Sequence, residues 1–492
     1  MKTKLTFILL LGMNLQLIQA QWSIDSVNTP DTYPYAAVNS NKAVFSNGSE
    51  WNTFDPISGM HTNGSFTISR QMIEVVSLGD KVLFGGGKYG SFADPLYTKQ
   101  VNVYNSTSDS WSIWNLGTAR EVGAAAGIGN KVVFAGGTGR TDIAGPVKMY
   151  NKVDIFDITT GARLSGKISK ARTNIAAGAA GNKIVFAGGW YWNGSYSIVY
   201  SNKADIYDVT TGLWSSVLLS KKRDNISVAV VGDQIIFAGG SGTAGAVNTV
   251  DIYHASTNTW TVSSMPAAGY GYKTAVIGTD AYFTGYAFGD FDAVYRYNTL
   301  TGVWNTFYLP TSLSNFSLST VDGRLVFAGG TVPGTNTYSD LVQIFDPLTD
   351  SWSYENLSMA RTNVTALNIG NVSYFAGGIQ AYAYPSPVPS NRVDIFAAPF
   401  RHADPGTEMQ HWAIHIYPNP ADQFILINLE NQDGIPLPLD LKIVDLQGRQ
   451  VVRTELYDHQ TRIAVDHLAP GVYFILTEDR YGHAENTEMI KQ

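Results

Sequence analysis

Seven residues, KIVFAGG at 183–189, recur along this chain of 492 residues. The other copies are KVLFGGG (81–87), KVVFAGG (131–137), QIIFAGG (234–240), RLVFAGG (324–330) and VSYFAGG (372–378). Two weaker copies centre on Phe45 in AVFSNG and Phe283 in AYFTGY. Measured from aromatic to aromatic, the steps are 39, 50, 52, 51, 46, 44 and 48 residues. That period is too long for one strand or one helix. It requires a repeated supersecondary unit whose copies bury their apolar faces against one another.

Each unit reads alike. A strand of small residues, such as IAAGA (175–179), leads to a Gly-Asn or Gly-Asp pair, as at Gly181-Asn182. Such pairs supply the positive φ of a two-residue hairpin. The F-x-G-G strand follows, then a variable loop. A third strand carries an apolar-aromatic pair (Ile155-Phe156, Ile206-Tyr207, Ile344-Phe345) and turns through DITTG, DVTTG or NTLTG into a fourth. Tryptophan often opens that fourth strand: Trp111, Trp214, Trp260, Trp304, Trp352. Four antiparallel strands per unit, repeated about an axis, predict an all-β propeller.

Residues 22–400 resemble the kelch-repeat family in the glycine pair, the aromatic of the third strand and the tryptophan of the fourth. Repeats one and six depart from the pattern, with Ser-Asn-Gly and Thr-Gly-Tyr where the glycine pair belongs. Eight units favour eight blades, and a seven-bladed ring with one degenerate unit is the alternative. The last unit lacks a fourth strand, while WSIDSV (22–27) looks like an orphan one. Pairing the two would close the ring and remove both free edges.

The first twenty residues, MKTKLTFILLLGMNLQLIQA, place two lysines before an apolar run and end at Ala20, the pattern of a cleaved signal peptide over 1–20. No second apolar span follows, so no transmembrane segment is expected in the mature chain. The chain has no cysteine, which removes disulfides, thiol nucleophiles and Cys-ligated metals. A formal net charge of −7 with no Lys/Arg run argues against a nucleic-acid partner.

After Phe400 the repeat stops. A polar linker (401–412) precedes short alternating strands over 413–492, which predict a small C-terminal β-sandwich after the propeller of residues 21–400. This tail resembles the type A C-terminal sorting domain of the type IX secretion system of Bacteroidetes. The resemblance rests on Tyr417-Pro418-Asn419-Pro420, Asp445-Leu446-Gln447-Gly448-Arg449 and Leu468-Ala469-Pro470-Gly471-Val472-Tyr473. It implies the type IX machinery as a partner, translocation across the outer membrane, and then surface attachment or release.

Enzyme chemistry finds few residues. A galactose-oxidase-type copper site needs two histidines, two tyrosines and a Tyr–Cys cross-link, and the propeller offers only His61 and His254, several blades apart, and no cysteine. No metal and no cofactor are expected. Asp157 and Asp208 sit where turn-capping explains them better than calcium does. One constellation stands out. Arg70, Arg120, Arg172, Arg223 and Arg361 each precede a first strand, three of them in the pattern Arg-x-Asn. In a meander those approaches emerge beside the loops joining the second and third strands, and these are aromatic: KYGSFADPLY, WYWNGSYSIVY and IQAYAYPSP.

Guanidinium forks with exposed rings suit a carbohydrate, an acidic glycan or a protein partner. The expected ligand residues are the five arginines with Tyr89, Trp190, Tyr191, Trp192, Tyr382 and Tyr384. An alternative is an enzyme on sugars, resembling kelch-type sialate mutarotases, with Glu121 or Glu74 as acid or base. A third reading is a purely structural surface protein.

Overall fold

The computed structural model describes residues 21–31, 35–39, 42–55, 60–91, 94–140, 145–194, 197–285, 291–335, 337–383, 386–397, 413–430, 439–445, 450–456, 458–478 and 484–492. The expected signal peptide (1–20), the linker (401–412) and Tyr384 lie outside these, and of Tyr382 only the backbone is described.

Among the described residues the first unit is eight antiparallel sheets, each built on four main strands, with a short extra strand in blades five and eight; blades one to seven are meanders. Blade four is typical: Ala176–Ala180, Lys183–Ala187, Lys203–Asp208 and Trp214–Leu218, in that order across the sheet. The innermost strands neighbour one another in chain order, and the last, Thr365–Ile369, returns to the first, Tyr35–Val38. The ring therefore closes with eight blades. Its closure uses both ends of the repeat region. Gln21–Asp31 pairs antiparallel with Ser386–Ala397, Trp22 opposite Phe396, and supplies blade eight with its fourth strand.

The repeated heptapeptide is explained by local geometry. Gly181 turns the blade-four hairpin at φ +58, while Asn182 stays at negative φ, so one residue rather than both needs the left-handed region. Gly188 and Gly189 follow at φ +67 and +88. A Cβ on Gly188 would stand 2.6 Å from the Arg223 carbonyl oxygen of the next blade. The N–H of Gly189 donates to that same oxygen at 3.0 Å. The double glycine is where one blade is hydrogen-bonded to the next.

Between blades lies the apolar core. Val133, Val153 and Ile155 of blade three pack with Ile184, Phe186 and Tyr207 of blade four, and Trp214 covers the cluster with its ring 5.0 Å from Tyr207. The small residues of the first strands let these sheets converge on the axis.

The second unit, described by itself, is a sandwich. Ala413–Tyr417, Phe424–Glu430 and Gln460–Ala464 form one sheet; Gln450–Leu456, Leu439–Asp445, Gly471–Glu478 and Ala484–Lys491 form the other. Ile425, Ile427, Leu441, Ile443 and Ile475 fill the space between. The motifs of the tail act as clips: Asn419 Oδ1 accepts from Ile490 N at 2.8 Å, and Tyr473 Oη donates to the Ala469 carbonyl at 2.8 Å.

Candidate ligand-binding face

The approach to each first strand and the loop after the glycine pair do emerge together, because backbone bridges join them: Gln71 to Lys88, Glu121 to Thr138, Thr173 to Trp190, Asp224 to Ser241, Thr362 to Ile379. This face carries the residues the sequence singled out. It does not present all of them.

The arginines are a correction. Arg70 is 2 % exposed, and Arg120, Arg172, Arg223 and Arg361 are 0 % exposed. Each side chain turns back into its own blade instead of out to a ligand. Arg120 pairs with Asp154 at 2.7 Å, Arg172 with Asp205 at 2.8 Å, Arg223 with Asp251 at 2.6 Å, and Arg361 with Asp394. The guanidinium also donates to the heptapeptide: Arg172 Nε to the Gly188 carbonyl at 2.8 Å and Nη2 to the Phe186 carbonyl at 3.0 Å.

Burial lowers the pKa of these arginines, and the facing aspartate offsets part of the shift. Arg70 faces the neutral Asn102 instead, at 2.7 Å, and burial takes it down to about 10. The aspartates are doubly used, since Asp205 Oδ1 also accepts from Ser169 N at 2.9 Å in the preceding loop.

The rest of the motif is conformational. Asn174, Asn225 and Asn363 hold φ of +52, +47 and +52, and asparagine tolerates that region better than most residues. Blade seven keeps Asn315 at φ +53 but has Leu313 in place of arginine and Gln343 in place of aspartate. The charges have been lost together, as expected of partners in one buried pair.

What remains on the face is aromatic and mixed in charge. In blade four, Trp190–Trp192 and Ile198–Tyr200 form a hairpin of their own beyond the sheet. Trp190 and Trp192 lie edge to face with centroids 5.7 Å apart, both partly exposed. Tyr191 alternates to the other side, where Lys170 Nζ lies 4.2 Å over its ring.

In blade two, Lys88–Gly90 and Pro95–Tyr97 form a second hairpin. Tyr89, Lys88, Gln71 and Pro95 line a cleft of ≈ 340 Å³ there. Lys88 Nζ reaches Glu121 Oε2 at 3.7 Å, and Arg140 pairs with Asp94 above them. Burial raises the Glu121 carboxyl despite that lysine. Glu74 rises to about 7, through burial first and the Glu121 charge second.

Lys88 and Lys170 were not among the sequence candidates. Lys88 had a signal, since it immediately follows a glycine pair, as Trp190 does. Elsewhere, Asp157 Oδ1 and Asp208 Oδ1 each accept two backbone N–H groups of their own turns, as the sequence suggests. His61 stacks near Phe54, and His254 bonds Thr261.

Sequence comparison agrees with this architecture. A profile described as a secretion system C-terminal sorting domain matches residues 415–491, and a kelch motif profile matches residues 312–356. Kelch-like protein 24 of Rattus norvegicus and that of Mus musculus are each 29 % identical over 209 residues, covering 41 % of this chain and 34 % of theirs. The match thus spans about a third of the length of these relatives.

Proposed function

For a chain that is a kelch-repeat protein carrying a type IX sorting domain, and so is exported to the cell surface or released, we propose that the propeller binds a carbohydrate or acidic glycan. The site is the face where the blade-two and blade-four hairpins project. The observation that carries the reading is the blade-four hairpin, whose two partly exposed tryptophans stand on a rigid ring with a lysine alongside. Flat rings of this kind stack on sugar faces. With the arginines enclosed, Lys88 and Lys170 supply positive charge beside the two hairpins. In this reading residues 1–20 act as the signal peptide, and the sorting domain engages the secretion machinery.

The test is glycan-array binding by the full chain beside a Trp190→Ala/Trp192→Ala variant. Selective binding that falls at least about tenfold in the variant, a loss of about 1.4 kcal/mol, is the expected result. Failure of the unaltered protein to bind any glycan would reject the glycan class and leave a protein partner or a structural role.

A second reading, an enzyme on sugars, draws support from Glu74 and Glu121. Glu74 is held at about 7 and Glu121, raised by burial, lies against the cleft residue Lys88, an arrangement that suits general acid–base chemistry. Glu121→Gln that keeps binding but loses ring opening of an acidic sugar would favour it over a lectin.

A further inference from the structure

Blade three breaks the repeat at the position opposite the third-strand aromatic. Six blades set a tryptophan there, as Trp214 stands opposite Tyr207, and blade one sets His61. Blade three sets Arg163 opposite Phe156. Trp114 reaches across from blade two and stacks on Phe156 with centroids 5.4 Å apart. That ring supplies the aromatic cover between these blades, so packing gives no reason for an arginine at 163.

The same face of the same two strands carries a second departure. Residues directly opposite across a strand pair share a face, and so do residues two apart along a strand. Lys152 and Lys167 stand opposite one another, on the face that holds Asp154, Ser165 and Arg163. No other blade sets two charges opposite each other at this register. Like charges so placed repel. Both lysines are exposed, and among the described residues neither makes an ion pair or a side-chain hydrogen bond.

These residues, with Thr118, line a cleft of ≈ 480 Å³. Its one carboxylate is taken: Asp154 accepts from Arg120 Nη1 at 2.7 Å, Arg163 Nη1 at 2.6 Å and Gly117 N at 2.8 Å. The cleft is left with three cations in its wall and no free anion among them. The charge is local, since residues 120–170 hold eight Lys/Arg and four Asp/Glu in a chain of formal net charge −7. Lys152 opens a third strand, Lys167 closes a fourth, and Thr118 lies in the connection to a first strand. The cleft therefore opens at the same end of its blade as the hairpins of blades two and four.

We propose that this cleft is a site for a tetrahedral oxyanion ester, a sulfate or phosphate carried on a glycan. A carboxylate is best matched by a free guanidinium fork, and the fork here is committed through Nη1 to Asp154. Lysine ammoniums act as point charges, and two of them beside serine and threonine hydroxyls suit a group whose three terminal oxygens diverge. The proposal rests on the glycan reading for the polymer that carries the group, and on the cleft alone for the choice of group.

The probes are dextran sulfate, dextran phosphate, carboxymethyl dextran of matched substitution and unsubstituted dextran, titrated calorimetrically into the full chain. At least one ester form is expected to bind about tenfold or more tighter than the carboxymethyl form, and the tighter ester identifies the source. Lys152→Gln/Lys167→Gln should weaken that binding by about tenfold or more and flatten its dependence on salt. Because it removes a repelling pair, this variant should unfold no earlier than the parent. Lys221→Gln/Lys222→Gln removes the same charge from the next interblade connection and should leave binding unchanged. Binding of neither ester, equal binding of the carboxymethyl form, affinity unmoved by Lys152→Gln/Lys167→Gln, or equal loss in both lysine variants overturns the proposal. Glycans bound through Trp190 and Trp192 with no preference for esters sink this site alone. Ester binding that survives Trp190→Ala/Trp192→Ala lets this site stand where the hairpin reading has fallen.

Discussion

A buried guanidinium is stable only while its partners stay in place, and this chain uses that dependence five times. Arg172 leaves Asp205 and several carbonyl groups unpaired if it is removed. Arg172→Met should therefore cost about 3–5 kcal/mol, read from denaturant unfolding. Arg172→Leu with Asp205→Gln copies the combination already present in blade seven and should recover most of that loss. A double variant as unstable as the single one would contradict the assignment of these residues as one unit.

Glu74 gives a prediction with a sign. Its folded pKa of about 7 lies above the ordinary value of 4.5, so its ionisation opposes folding. That penalty is absent below about pH 4.5, grows as pH rises through 7, and is constant above. Glu74→Gln should match the parent at pH 4 and exceed it by about 1–3 kcal/mol at pH 8. Equal melting temperatures at pH 8 would show that the carboxylate is solvated after all.

Blades are joined by the second glycine of each pair and the carbonyl of the next blade's arginine. This makes the glycines sensitive to any side chain. Gly188→Ala would put a Cβ against the Arg223 carbonyl at a positive φ, and it should lower stability by about 2–4 kcal/mol. Blade six tests the rule by exception: its loop has Gly269 at the arginine position, and Gly240 N still donates to the Gly269 carbonyl at 2.8 Å. The backbone link between blades is thus kept where the side-chain pair is not. Much of this could be read in advance. F-x-G-G, the Gly-Asn hairpin and the alternating strands are patterns within ten residues of one another, and their physics is equally local.

Closure of the ring depends on a strand from the far end of the repeat region. Removing residues 21–31 would leave Ser386–Ala397 as an open edge in blade eight. The truncated protein should melt earlier and scatter light through edge-to-edge association. An unchanged melting temperature would mean that the ring is held by interblade packing alone.

The number of repeats, the closing strand and the sorting motifs could all be read in order along the chain, because each depends on short-range spacing or on one strand lacking a mate. The direction of the arginines could not. A long side chain at a loop can reach outward or fold back, and the carboxylate that decides between them lies 34 residues on from Arg120 and 33 on from Arg172. A clue was present, since the third strand reads V-D-I-F, A-D-I-Y or V-D-I-Y in the four blades whose arginine faces an aspartate, and V-Q-I-F in blade seven, which has neither. For Glu74 no such clue exists, since Glu121, the charge that adds to its shift, lies 47 residues on and belongs to the approach to the next blade. Backbone conformation is chosen by near neighbours, whereas the surroundings of a charge are chosen by everything the fold brings around it.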